Sequence, residues 1–362
     1  MELKRIELKK LEIPFRVSFK HALAERTVTE TVIAIAHCNT DLKGYGEGCP
    51  RHYVTGESIE SCMDFLKKNN TNILQINSVQ SLQDFVSDNR LDIDNNPAAW
   101  CAIETAFLDL FGKIERKSIE AVIGIPEIQG NFHYTAVLGV SNPKVFQVQL
   151  AQYIQIGFND FKVKISGDSA ADTSNIAAIR AVIPDAKIRL DANNLWSNVD
   201  EAITYLASLA PNFWTIEEPI KVKDYAGLKK LADHLHCKII LDESFLRIED
   251  LGKIQDNPKI FIPNIRISKM GGLLRSLAIA EECRKRGFKF IIGAQVGETS
   301  ILTRIAISLA NSYRDMLIAQ EGAYGSYLLE HDITEPPIMF GKNGTVNLSA
   351  NNINGLGLNW TL

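Results

Sequence analysis

The sequence predicts an α/β fold, a (β/α)8 barrel or its (β/α)7β variant, joined to an N-terminal α+β unit. Three observations predict it. Charged motifs recur at even spacing through the second half of the chain. Short β-branched or apolar runs lead into them, and stretches with helical periodicity lie between. The motifs are Lys162-Val163-Lys164, Asp191-Ala192-Asn193, Glu217-Glu218-Pro219, Asp242-Glu243-Ser244 and Lys269-Met270-Gly271-Gly272. From Lys164 through Asp191, Glu217 and Asp242 to Lys269, the steps are 27, 26, 25 and 27 residues. A barrel of about 250 residues gives each strand–helix unit roughly 30 residues or fewer. One charged motif per unit therefore sits at the same end of each successive strand.

The elements follow in order. Residues 4–13 and 29–38 read as strands, Asp41-Leu42-Lys43-Gly44 as a turn, and 45–48 as a further strand. These suit an antiparallel sheet. Helical stretches follow at 58–68, 79–85 and 97–113, the last opened by Pro97, whose missing N–H costs nothing in a first turn. This α+β unit is expected to span 1–125. Residues 133–139 open the barrel, expected over 126–332. Its later strands are 161–165, 186–191, 213–217, 238–242, 261–269, 289–292 and 315–319. Between them, apolar residues return every three or four positions in 172–182, 200–209, 224–235 and 273–286. Alternating strands and helices imply a parallel sheet. The tail, 333–362, is punctuated by Pro336-Pro337 and Gly355-Leu356-Gly357-Leu358, too irregular for another unit, and is expected to fold back on the N-terminal domain and complete it.

With 362 residues, 46% hydrophobic and 23% charged, the chain can bury one large core and a second unit. A net charge of −4 offers no basic footprint for nucleic acid or for a membrane surface. No apolar run approaches the roughly 18 residues of a membrane span. The six cysteines form no C-x-x-C pair and read as free thiols in a reducing cytoplasm. The seven histidines form no metal-ligating pair on a helix, which disfavours a zinc hydrolase.

Three carboxylates from neighbouring strands suit a hard divalent cation, Mg2+ or Mn2+. Asp191, Glu217 and Asp242 are the expected ligands. Glu218 and Glu243 lie one residue further, where strand alternation turns them to the opposite face. Lys162 and Lys164 are two apart and so point the same way. Their mutual repulsion should lower the proton affinity of each, tuning a general base. Lys269, four strands away, would place a second amine on the opposite side. A substrate held between them would have one amine above and one below a single carbon. That suits removing a proton α to a carboxylate, with the cation stabilising the enediolate.

These motifs, in this order, resemble the muconate-lactonizing subgroup of the enolase superfamily, and within it the dipeptide epimerases related to L-Ala-D/L-Glu epimerase. Gly44-Tyr45-Gly46-Glu47-Gly48 resembles the glycine motif of that family's capping domain, and Asn354-Gly355-Leu356-Gly357-Leu358 its closing segment. Pairing of a lysine or histidine base with Mg2+ is a known pattern of that superfamily. The resemblance implies a dipeptide epimerase of the Ala-Xaa type that inverts the α-carbon of the C-terminal residue. Lys164 and Lys269 would be the acid/base catalysts, and Lys162 would neutralise the substrate carboxylate and depress the pKa of Lys164. Asp191, Glu217 and Asp242 would hold Mg2+, Asn193 would orient the ligand sphere, and Thr135 would touch the substrate backbone. It also implies a small-molecule partner, a dipeptide from peptidoglycan or protein turnover, and a homo-oligomer. o-Succinylbenzoate synthases, N-acylamino acid racemases and cycloisomerases share the motifs, so each of these is a competing expectation. A barrel that binds a carboxylate without turning it over is a further one.

One departure bears on the substrate. The epimerases commonly carry an Asp-x-Asp pair after the eighth strand that grips the substrate's α-ammonium. Here the segment reads Ala319-Gln320-Glu321-Gly322-Ala323. Glu321, or Glu298 after the seventh strand, is expected to take over that contact. A loop at 15–26, with Arg16, Phe19, Lys20, His21 and Arg26, is expected to close over the barrel mouth. Arg16, Lys20 and Arg26 are its candidates for an acidic substrate side chain.

Overall fold

Three glycines on one strand set the packing of the N-terminal unit. The strands there are β1 (Leu3–Leu11), β2 (Pro14–His21), β3 (Ala24–Val28), β4 (Thr31–Cys38) and β5 (Lys43–Gly48). β1, β4 and β5 form an antiparallel sheet in that order, and β2 and β3 form a separate hairpin. A Cβ at Gly44, Gly46 or Gly48 would lie 2.0 Å from a carbonyl oxygen of the helix Pro97–Glu115. Alternate glycines thus give β5 a bare face on which that helix lies in backbone contact. The helix is buried from Pro97 through Gly112. The computed structural model describes residues 3–21, 24–209, 213–350 and 353–361, and the side chains of all of these except 17–21 and 24–26.

The second unit is an eight-stranded parallel sheet. After β6 (Gln129–His133) come β7 (Ala136–Leu138), β8 (Asp160–Lys164), β9 (Lys187–Asp191), β10 (Thr215–Glu217), β11 (Lys238–Leu241), β12 (Phe261–Ile265), β13 (Phe290–Ile292) and β14 (Leu317–Gln320). They run β7 to β14 in sequence order. Thr135 N donates to Gln320 O at 2.8 Å, which draws the two ends of the sheet together. The eight expected strand runs each coincide with one of these. One needs correction: the run 261–269 is strand only to Ile265, and Ile267–Met270 is a helical turn ended by Gly271 at φ 79°. Lys269 therefore lies past the strand, on a helix.

Register explains which side chains share the inner face. Lys164 pairs with Asp191, Asp191 with Glu217, Glu217 with Ile240 and Ile240 with Ile262. Paired residues of neighbouring strands point to the same side. Asn264, two beyond Ile262, and Arg266, two beyond that, continue on that side toward the rim. Ile240, Ile262 and Ile291 form a small apolar cluster of their own.

The tail supplies β15 (Thr345–Ser349), antiparallel to β6. Beyond it, Leu356 N donates to Asp109 Oδ1 at 2.9 Å, and Trp360 packs on Tyr45 at 4.3 Å between ring centres. Buried carboxylates join the two units at helix N-termini. Glu47 on β5 accepts from Thr299 N and Oγ1 and from Leu302 N at the start of helix Ser300–Ser312. Glu104 accepts from Leu274 N at the start of Leu273–Arg286. Anionic groups suit helix N-termini. Burial nevertheless raises both, Glu47 to about 8 and Glu104 to about 7.

Candidate active site

The C-terminal ends of the parallel strands open on a cavity of about 830 Å³. Its charged floor includes Lys162, Lys164, Asp242, Glu243, Arg266 and Glu321. Glu243 was expected on the opposite face; β11 ends at Leu241, so alternation no longer governs it, and it reaches the cavity with Asp242. Much of its wall is apolar, with Val137, Tyr153, Val296, Tyr324, Tyr327 and Leu328 among the lining residues.

On the β8 side, Lys164 Nζ lies 2.8 Å from Asp191 Oδ2 and 2.5 Å from Asn193 Oδ1. Lys162 is nearly fully buried, at 3% exposure. Its Nζ is 3.1 Å from Asp191 Oδ2, 2.8 Å from Glu217 Oε2 and 3.2 Å from Glu321 Oε2. The expectation that repulsion from Lys164 loosens the Lys162 proton is corrected here. Burial pulls in that direction, but Asp191, Glu217 and Glu321 outweigh it and hold the ammonium well above the usual lysine range. Asp191 is driven down: burial opposes its charge, and Lys162 and Lys164 overcome it. Glu217 rises to about 7, because burial and its acidic neighbours exceed the pull of Lys162.

On the β12 side, Arg266 reaches the cavity. Its guanidinium binds Asp242 Oδ2, and Nη1 donates to Gln295 Oε1 at 2.9 Å. Lys269 does not line the cavity. Its side chain is fully buried, with Nζ 2.7 Å from Asp242 Oδ1 and 2.8 Å from the Asp242 carbonyl. Burial lowers its proton affinity. Lys269 was expected on the cavity wall opposite Lys164; its ammonium lies on Asp242 instead, and Arg266 lines the cavity on the β12 side. Sequence reasoning passed over Arg266. The available signal was its two-residue step from Asn264, which puts both on the inner face.

The remaining expected residues are placed as follows. Thr135 is buried within a network: Oγ1 donates to Asp160 Oδ1 at 2.9 Å and accepts from Arg189 Nη2 at 2.8 Å. It is a support for Arg189 and does not line the cavity, which corrects its expected substrate contact. Glu321 lines the cavity, but its oxygens are shared by Lys162 and by Arg189 at 3.1 Å. Glu298 lies outside the lining, accepts from Gln295 N at 2.6 Å, and is raised by burial to about 7. Glu218 accepts from Asp242 N, Ser244 N and Ser244 Oγ and so shapes the next strand's end. Arg16 lines the cavity mouth with Nε and Nη2 on the carbonyls of Ser326, Leu329 and Glu330. The side chains of Phe19, Lys20, His21 and Arg26 lie outside the described residues.

The donor set can be tested against a divalent cation. Asp191 Oδ2 and Glu217 Oε2, on adjacent strands, both face one positive charge, Lys162 Nζ. Glu217 Oε2 is buried and has no hydrogen-bond donor in proper geometry. Asp242 is the third acid, with its two oxygens turned to Arg266 and Lys269. Among the described residues no three acidic, histidine or cysteine side chains form a ready ligand cluster. The oxygen donors fit Mg2+ in kind, with Lys162 between two of them and Asp242 held aside.

A family model described as Enolase C-terminal domain-like matches residues 146–361. The chain belongs to that family, within the enolase superfamily. A hydrophobic dipeptide epimerase of Enterococcus faecalis is 27% identical over 323 residues, 87% of this chain and 89% of that protein. An N-succinyl-L-Arg/Lys racemase of Bacillus cereus is 26% identical, covering 86% of this chain and 85% of that one. The crystal structure of the Enterococcus faecalis V583 dipeptide epimerase complexed with Mg and L-Leu-L-Tyr superposes with a TM-score of 0.86. It covers 99% of this chain and 100% of its own at 24% identity, a likeness of fold. Among the described residues no helix is long and apolar enough to cross a membrane.

Proposed function

We propose that this enolase-superfamily member removes the proton α to a carboxylate in an amino-acid derivative, and that a dipeptide is the substrate. The observation that carries the reading is Lys164. It is an amine on the cavity wall, held by Asp191 and Asn193 at the edge of an oxygen-donor set. The names of the relatives, dipeptide epimerase and N-succinylamino acid racemase, support it. Asp191, Glu217 and Asp242 would hold Mg2+, or Mn2+ in its place, which when bound draws negative charge from the substrate carboxylate. Lys162 would add a fixed positive charge beside that carboxylate. The barrel wall excludes water and the apolar lining accepts the substrate's side chain. Inversion of the α-carbon further requires a group that returns a proton to the opposite face.

A second reading, an N-acylated amino acid, is favoured by Glu321. Both of its oxygens are engaged by Lys162 and Arg189, which leaves less negative charge for a free α-ammonium. The test is α-proton exchange in D2O with Mg2+, followed by NMR for a panel of dipeptides and N-succinylamino acids. Exchange that disappears in Lys164→Ala is the expected result. Exchange unaffected by that change would exclude Lys164 as the base. Preference for the N-succinyl series over every dipeptide would select the second reading. The six cysteines are buried and free.

A further inference from the structure

We propose that Arg266, and not Lys269, faces Lys164 across the substrate cavity, so that the site pairs one base with one permanent cation and works on a single face of the α-carbon. The inference rests on the α-proton reading above and sharpens its outcome. β8 and β12 are four places apart in an eight-strand order, so their rims stand across the mouth from one another. Lys164 and Arg266 both line the cavity.

Lys269 is kept away by covalent geometry and by packing. It leaves β12 on the helical turn Ile267–Met270, whose end is fixed by Gly271 and Gly272 at φ 79° and 101°. A Cβ on Gly272 would meet Glu104 Oε1 at 2.3 Å, so the turn is packed hard against the N-terminal unit. The Lys269 ammonium is spent on both the carboxylate and the carbonyl of Asp242. Reaching the substrate would require breaking these contacts and passing the Asp242 and Arg266 side chains.

Arginine and lysine are not equivalent in that position. A guanidinium keeps its proton in proteins and presents N–H donors in a rigid fork. It can balance the charge of an enediolate, but it cannot take a proton from carbon. Lys164, as the free amine, takes the α-proton, and the C–H electron pair passes into the carboxylate to give the enediolate. The ammonium exchanges its protons with solvent and returns one to the same face. Solvent label then enters with retention of configuration. Where the substrate carries a leaving group on its β-carbon, the same electron pair forms the Cα–Cβ double bond. The group departs with its bonding pair and accepts the proton from Lys164. Without a leaving group, a single-faced site exchanges the α-proton and does not invert the carbon.

The test incubates the Mg2+-loaded protein in D2O with the L,L and L,D forms of Leu-Tyr, and separately with L- and D-N-succinylarginine. Exchange is read by NMR and configuration by chiral chromatography. The expected result is exchange of one stereoisomer only, with retention, and at least tenfold more inversion per exchange in Arg266→Lys. Inversion by the unaltered protein at the rate of exchange would overturn the proposal. Exchange with none of the four would sink the α-proton reading and the one-face chemistry with it. A second measurement decides placement without turnover: carbamoylation by limiting cyanate, mapped by mass spectrometry. Lys164 should react at least tenfold faster than Lys269, and equal reactivity would place Lys269 in the cavity and overturn the proposal.

Discussion

The two sides of the barrel mouth are built differently. On the β8 side, the two lysines stay within the strand, and alternation alone aims both inward. Their partners, Asp191, Glu217 and Glu321, come from the barrel itself. On the β12 side the strand stops at Ile265, so alternation carries Arg266 to the rim but not Lys269. That side is braced from the N-terminal unit. Arg51 donates to Val296 O at 2.6 Å, and Glu47 caps the helix that follows, so the loop bearing Gln295 is held between them. Barrel period alone therefore does not aim a side chain into the cavity; strand alternation does so for Lys162 and Lys164, and the helical turn carries Lys269 away.

Breaking the β8 side should have the largest effect. Lys164→Ala is expected to lower α-proton exchange by roughly 10²–10⁴-fold, the usual contribution of a positioned base, as measured by NMR in D2O. Near-full exchange would remove the base from this side. Next, Glu321→Ala leaves Lys162 and Arg189 buried with one carboxylate fewer. Breaking a buried pair typically costs about 3–5 kcal/mol, and urea unfolding should show a loss of that order. A loss below about 1 kcal/mol would mean that the remaining acids suffice.

The bracing of the β12 side gives two smaller effects. Gly46→Ala drives a methyl into the Ala102 carbonyl at 2.0 Å, and overpacking of this kind costs about 1–3 kcal/mol. Thermal unfolding would check it, and an unchanged midpoint would contradict the backbone contact. Glu47 offers a pH dependence. Its folded-state pKa of about 8 lies above the unfolded value, raised by burial. Its protonated form therefore contributes stability that is full below the unfolded pKa and lost as pH rises through about 8. Unfolding free energies between pH 5 and pH 9 should fall less steeply for Glu47→Gln than for the unaltered chain. Parallel curves would show that Glu47 does not carry the slope.

Much of this architecture was legible in the sequence. The period of the charged motifs located the barrel strands, and β-branched runs ending in Asp191 and Glu217 marked their ends. Alternation also separated Glu217 from Glu218, which is spent on the Asp242–Ser244 backbone. Lys269 was misplaced because the apolar run 261–269 hides the change from strand to helix, signalled only by Gly271-Gly272. The engagement of Glu321 was hidden for a different reason. It depends on Arg189, far away in sequence, whose inward direction follows from its pairing with Lys162.

We propose above that Lys164 and Arg266 pair across the substrate. A crystal structure with Mg2+ and an unreactive carboxylate analogue of the substrate tests it most directly. The expected result is the Lys164 amine and the Arg266 guanidinium on opposite sides of the α-carbon, with the amine at about 3–3.5 Å as a near-attack geometry requires. Lys269 at that distance on the far side, with Arg266 turned away, would contradict it.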